Sequence, residues 1–227
     1  MTKHNPEHIG IIIDGNRRWA CQHGKKSITG HKAGYKALSR VIKHTRNKGV
    51  SYITVYVFSS ENWKRSEEEV SGLMKLVRYV FANELESFVG EDLRLRVIGS
   101  RTELPKDIVK SIEAAEASTV NNKNGTLVLC FNYGGQQEIA YAANKASQSG
   151  KQAITTEDIE DNLYAPDIPP VDLIIRTGGE KRISNFMLWR AAYSELYFSD
   201  KYWPDFGPED LDRALEEYSE RQRRFGK

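Results

Sequence analysis

The chain has 227 residues, with 33 Lys and Arg against 31 Asp and Glu and a formal net charge of +2. That length supports one substantial core, and the near-balanced charge gives no general argument for nucleic acid or an anionic surface, so any anion specificity must be local. Two cysteines, Cys21 and Cys130, stand far apart with no Cys/His cluster, so neither a disulfide framework nor a zinc site is suggested and a cytoplasmic setting fits; the polar start and the absence of a long apolar run predict neither signal peptide nor membrane span.

Residues 8–13 carry four β-branched residues in five positions, a buried-strand pattern, and Gly15 lets the chain turn at once into a helix. Asp14 therefore lands at the carboxyl end of a strand. Helix-start amides beside Asn16, Arg17 and Arg18 make an anion site there. A carboxylate repels a phosphate, so the economical reading is Asp14 with Mg²⁺ and a phosphorylated ligand; the alternative is that Asp14 caps the helix.

Helices are expected over 19–25 and 32–48, the latter ended by Gly49, and a second strand over 52–58. A polar loop with two cations follows, residues 59–65. Ser66 with Glu69 three residues on marks the start of a long helix over 66–89. Strands over 93–98 and 126–132 alternate with helices over 106–119 and 136–148, and Thr155 or Thr156 caps a short helix over 156–163. A fifth strand over 171–175, a helix over 185–193, a short strand over 196–198 and a terminal helix over 209–224 complete the pattern. This alternation predicts one α/β domain over 1–227, a doubly wound, mostly parallel six-stranded sheet flanked by helices. Ligands of such sheets sit beyond the carboxyl ends of the strands. Four strand ends carry unusual polar loops, residues 14–18, 59–65, 132–135 and 176–184. No glycine-rich nucleotide loop and no nucleophile beside a base occurs, which disfavours a nucleotide-binding module and a phosphate-ester hydrolase.

The stretches 8–20, 30–34, 58–65, 132–135, 176–189 and 223–226 resemble the cis-prenyltransferases, the undecaprenyl diphosphate synthase family, over nearly the entire chain. The resemblance implies a cytoplasmic, homodimeric, Mg²⁺-dependent enzyme of isoprenoid biosynthesis. Its reaction would add isopentenyl diphosphate, with cis geometry, to an allylic diphosphate such as farnesyl diphosphate, giving a polyprenyl diphosphate such as the undecaprenyl cell-wall lipid carrier. A lipid product implies transient contact with a membrane. By resemblance Asp14 is the essential Mg²⁺-binding acid, and Gly15, Asn16, Arg17, Arg18, Trp19, His31 and Arg65 belong to the allylic diphosphate pocket. Arg176, Arg182, Ile183 and Ser184 belong to the isopentenyl diphosphate site, Glu195 is a second metal-binding acid, and 224–226 approach a diphosphate of the partner subunit. Asn62, with Ser59, Ser60, Glu61 and Trp63 around it, is linked to the proton loss that completes each condensation. A neutral carboxamide is too weak a base to act alone, so Asn62 is read as orienting substrate while a diphosphate oxygen or water takes the proton.

On the long helix Val70, Leu73, Met74, Val77, Phe81 and Leu85 fall on one face, a stripe that is either plain core or the wall of a hydrophobic tunnel. Val57 and Phe131 are bulkier than the residues common at these positions, and Ser27 replaces a common arginine. A short-chain or irregular isoprenyl diphosphate synthase of the same fold is therefore an alternative. A non-catalytic partner subunit is another, but it would lose the acid that this chain keeps at position 14.

Overall fold

The structure, a computed structural model, describes residues 5–83 and 92–221. Six strands form one all-parallel sheet in the order β3-β4-β2-β1-β5-β6: β1 His8–Ile12, β2 Tyr52–Ser59, β3 Arg94–Ile98, β4 Thr126–Tyr133, β5 Leu173–Arg176 and β6 Glu195–Phe198. Seven α-helices occur among the described residues: α1 Asn16–Gln22, α2 Ser27–Asn47, α3 Glu67–Asn83, α4 Lys106–Ser118, α5 Gly135–Ser147, α6 Thr156–Glu160 and α7 Pro208–Glu220.

Side chains alternate across the sheet with a period of two. Ile9 and Ile11 face a core built with α2, α3, α4 and α7 through Leu38, Val41, Leu73, Ile112 and Leu211. Ile12, Tyr56, Val128 and Ile174 face the other side, covered by Ile168, Phe186 and Met187. Ala142, Ile159 and Trp189 join α5 and α6 to that covering segment. Chain order runs from β1 to one side through β2, β3 and β4, then returns past β1 to β5 on its other side. The crevice outside the carboxyl ends of β1 and β5 is thus the point where strand order reverses, the place where such sheets bind ligands.

Two element expectations are corrected, and one alternative is set aside. First, α1 begins a turn earlier than expected and α2 begins at Ser27, so Gly30 lies inside α2 rather than before it. The two helices cross so closely that a Cβ on Gly34 would stand 2.0 Å from Asn16 Oδ1. Second, no helix spans 185–193. Ser184, Asn185 and Met187 adopt positive φ, and the resulting succession of turns buries Phe186 and Met187 completely against the sheet. Third, Asp14 does not cap α1: the N-cap is Gly15 at φ 105, and no side chain caps the helix. A Cβ on Gly15 would lie 2.7 Å from Tyr202, so both the conformation and the contact require glycine. Thr155 caps α6 as expected, its Oγ accepting from the Asp158 amide at 3.2 Å. Leu85 and 224–226 lie outside the described residues.

The irregular covering segment is held by a buried ion pair. Arg190 donates to Glu138 Oε1 at 2.8 Å and to the carbonyls of Tyr164, Ala165 and Ile168. The Tyr133 hydroxyl donates to Glu138 Oε2 at 2.6 Å. Removing one partner of such a pair leaves an uncompensated buried charge. Arg190→Met is expected to destabilise the fold by about 3–5 kcal/mol in chemical denaturation, and a loss below about 1 kcal/mol would contradict the reading.

Candidate active site

Ile12 lies level with Tyr56 on β2 and with Arg176 on β5, so the chain leaving β1 emerges between two other strand ends. The Asp14 carbonyl accepts hydrogen bonds from the Thr177 hydroxyl at 2.7 Å and the Trp203 amide at 3.0 Å, which fixes the backbone. Asp14 Oδ2 accepts from Arg176 Nη2 at 3.0 Å and lies 3.2 Å from Arg18 Nη2; Oδ1 accepts from the Gly15 amide at 2.6 Å. Arg176 is 4% exposed, and its other terminal nitrogen donates to Ser184 Oγ at 2.7 Å and to the Arg182 carbonyl. Its Nε is buried without a partner. Asp14, Arg18, Arg176 and Ser184 therefore form one ionic junction at the crevice.

A second group of cations stands across the opening. Arg65 donates to Glu69 Oε1 at 2.7 Å, and the same carboxylate lies 3.9 Å from His31 Nε2 and 4.0 Å from Arg17. His31 Nε2 is buried and makes no hydrogen bond. Burial, with the Arg65 charge second, lowers the His31 pKa to about 4, so the imidazole is neutral at physiological pH. In the 3-10 turn Ser60–Lys64, Asn62 Oδ1 accepts from the Ser59 amide at 3.1 Å, which occupies the oxygen in holding the turn.

Both groups open into one cavity of about 860 Å³ between the sheet, α2 and α3. Its mouth holds Asp14, Gly15, Asn16, Arg17, Arg18, His31, Ser59, Glu61, Asn62, Arg65, Arg176 and Ser184. Its interior is apolar: Leu38, Leu73, Leu76, Val77, Val80 and Phe81 from the helices face Val57, Leu95, Val97, Leu127, Leu129 and Phe131 from the sheet. The helical stripe is thus partly tunnel wall, through Leu73, Val77 and Phe81, and partly core, through Met74.

The chain from Ile12 to Gly226 matches the family model described as "Putative undecaprenyl diphosphate synthase". The chain belongs to this prenyltransferase family. Isoprenyl transferase of Fusobacterium nucleatum is 46% identical over 226 residues, covering 100% of this chain and 98% of that protein. The isoprenyl transferase of Rickettsia sibirica is 47% identical over 98% of this chain and 99% of its own. Among solved structures, lavandulyl diphosphate synthase from Lavandula x intermedia, in complex with dimethylallyl diphosphate, superposes with a TM-score of 0.93 at 33% identity, covering 98% and 99% of the two chains. A probable undecaprenyl diphosphate synthase from Campylobacter jejuni gives 0.85 at 29% identity, over 99% and 100%. The chain is accordingly a prenyltransferase.

Within this prenyltransferase, several residues expected at the site lie elsewhere. Trp19 donates to Asp205 at 2.8 Å and stacks on His23, away from the cavity wall. Ser60 and Trp63 line a separate recess of about 200 Å³, where Trp63 donates to Asn132 Oδ1 at 2.8 Å. Ile183 packs with the second core cluster, and the Arg182 side chain is exposed and pairs with Glu180, so Arg182 meets the junction only through its carbonyl. Glu195 lies level with Leu173 and hence with Ile9, about 16 Å short of Asp14 along the strands at ~3.3 Å per residue. Its carboxylate accepts from Arg221 at 2.8 Å, so one chain does not bring the two acids onto one metal.

Two residues were missed. Glu69 gathers Arg65, His31 and Arg17, although as the capping-box partner of Ser66 it reads from sequence as a helix-start acid. Asn185 lines the cavity and ties three strand-end loops together, donating to Glu61 at 2.9 Å and accepting from the amides of Gly135 and Gln136. An asparagine beside a run of buried apolar residues was its one available signal.

The buried imidazoles set a pH dependence. His8 is also lowered to about 4, chiefly by burial; its Nδ1 donates to the Pro169 carbonyl at 2.9 Å and its Nε2 accepts from the Thr54 hydroxyl at 2.6 Å. With unfolded values near 6.5, the unfolded chain binds up to two more protons than the folded one between pH 6.5 and 4. This contribution to stability is complete above about pH 6.5 and lost as pH falls toward 4. Denaturation midpoints across this window should fall with decreasing pH, and His31→Asn should reduce the slope by about one proton; an unchanged slope would contradict the assignment.

Proposed function

We propose that this chain elongates prenyl chains: an Mg²⁺-dependent condensation of isopentenyl diphosphate with an allylic diphosphate, farnesyl diphosphate as the expected primer, to a cis-polyprenyl diphosphate. The observation that carries the proposal is a single cavity with clustered arginines and Asp14 at its mouth and an apolar interior. A lipid diphosphate has that same division of chemistry.

In the reaction the allylic C–O bond breaks and diphosphate leaves, the allylic carbon bonds to the terminal C4 of isopentenyl diphosphate, and a proton leaves C2, the methylene next to the tertiary centre C3, to form the new double bond. Negative charge grows on the departing diphosphate, and preorganised donors at that point are the largest available effect. Arg18, Arg65 and the neutral His31 would bind the allylic diphosphate, while Arg176 and Ser184 would hold the isopentenyl diphosphate with bidentate geometry. Asn62 would orient the isopentenyl group, with a diphosphate oxygen or water accepting the proton.

Asp14 fits Mg²⁺ as a hard oxygen ligand, and Mg²⁺ characteristically binds through one or two carboxylates plus substrate phosphates and water. Asp14 would hold the ion together with diphosphate oxygens and water. Bound there, Mg²⁺ would neutralise the leaving diphosphate. The Glu195 of this chain takes no part in that set. The enzyme would act as a single-domain homodimer, in the cytoplasm and in transient membrane contact. No helix among the described residues is long and apolar enough to cross a membrane.

Burial of each added five-carbon unit contributes on the order of 3–4 kcal/mol, so elongation stops where the cavity ends. Val57 and Phe131 both stand in the wall and favour a short product. Incubation with isopentenyl diphosphate and a series of allylic diphosphates, with Mg²⁺ or EDTA, should give product only with metal. Asp14→Ala should lower turnover at least about a hundredfold, the scale of losing a preorganised charge interaction. Undiminished turnover in that variant would overturn the role. Val57→Ala should lengthen the product, and an unchanged product would remove Val57 from the wall.

A further inference from the structure

We infer that the outer face of α2 docks this enzyme on an anionic lipid bilayer, an inference that rests on the prenyl-elongating function proposed above. Residues 15–60 contain ten Lys and Arg and no Asp or Glu, whereas the whole chain is only +2, so the remainder is net acidic. The near-neutral total conceals a strongly basic fifth of the sequence. Lys32, Lys36 and Arg40 recur on successive turns of α2 and form one exposed stripe, with exposed Lys25 and Lys26 in the turn just before the helix. These five cations make no ion pair with any described residue. The carboxyl end of the same helix differs, because Asp212 of α7 pairs with His44 at 2.9 Å and Lys48 at 2.7 Å. The unneutralised charge is therefore confined to the part of the helix beside the cavity mouth.

The position is as informative as the charge. The inner flank of α2, through His31, Gly34, Tyr35 and Leu38, walls the lipid-shaped cavity. An α-helix is roughly 10 Å across, so a bilayer resting on the stripe lies about one helix diameter from the space assigned to the prenyl chain. Basic side chains are attracted to anionic headgroups by roughly fivefold in partitioning per cation, an effect that salt screens. Trp19 adds an aromatic ring at the edge of the patch, with Lys25 5.3 Å above it. Rings of this kind favour the membrane–water interface. No stripe of exposed stacking rings interleaves the cations of α2, so nucleic acid is the poorer match.

The test is co-sedimentation of the full chain with vesicles of phosphatidylcholine alone and of phosphatidylcholine mixed with phosphatidylglycerol. The protein should bind the mixed vesicles, release in high salt, and ignore the neutral ones. Lys32→Glu/Lys36→Glu/Arg40→Glu should weaken binding at least about tenfold, while prenyl transfer on soluble substrates in detergent stays at the wild-type rate. A Gln triple at the same positions gives the same comparison should the Glu variant not fold. Equal binding by variant and wild type, equal binding to both vesicle types, or retention on RNA in place of vesicles would overturn the proposal. Wild-type protein that elongates prenyl chains in detergent without binding vesicles sinks this inference alone, whereas absence of elongation sinks the functional reading beneath it.

Discussion

A guanidinium 4% exposed can persist only when its charge is compensated, and in this fold the partner that meets the charge of Arg176 is Asp14. Their ion pair spans the crevice between β1 and β5, the two strands between which chain order reverses. Because Thr177 and the 3-10 turn after β6 both hydrogen-bond the Asp14 carbonyl, the junction also sets where the neighbouring loops sit. The opening of the cavity is thereby framed by fixed charges. A diphosphate arriving there would find arginines already oriented by a carboxylate and a serine, so little reorganisation accompanies binding.

Behind the junction the environment changes within one strand width. The sheet residues that face α2 and α3 are aliphatic or aromatic throughout the interior, and the helices contribute the same chemistry. A tunnel of this kind needs a helix that covers the sheet without filling the space against it. Glycines within α2 serve a different end, drawing α1 and Trp203 tightly against the helix. Charged rim and apolar interior are consequences of one arrangement, the packing of α2 and α3 over the carboxyl half of a parallel sheet.

The features legible in the sequence are those governed by local pattern. β-branched runs identified β1 and β2, alternation with helices placed the other four strands, and three of the four polar strand-end loops supply the rim, because a residue next to a strand end cannot be far from it in space. Tertiary packing decided the rest. The 185–193 stretch has apolar spacing compatible with a helix, yet burial of Phe186 over Gly10 requires turns with positive φ. Trp63 follows a strand end but its indole finds Asn132 on the far side of its loop, and Glu195 begins a strand whose carboxyl end, not its start, reaches the rim. Glu69 and Asn185 gain their importance from partners distant in sequence, which no spacing rule indicates.

The account stands on the junction of Asp14 with Arg176 as the place where isoprenoid diphosphates are held. A crystal structure with Mg²⁺ and an unreactive isopentenyl diphosphate analogue measures this most directly. The account predicts diphosphate oxygens hydrogen-bonded to Arg176 and Ser184 and the hydrocarbon end directed into the cavity. A diphosphate bound elsewhere on the molecule, with the ion pair of Asp14 and Arg176 undisturbed and the cavity empty, would contradict it.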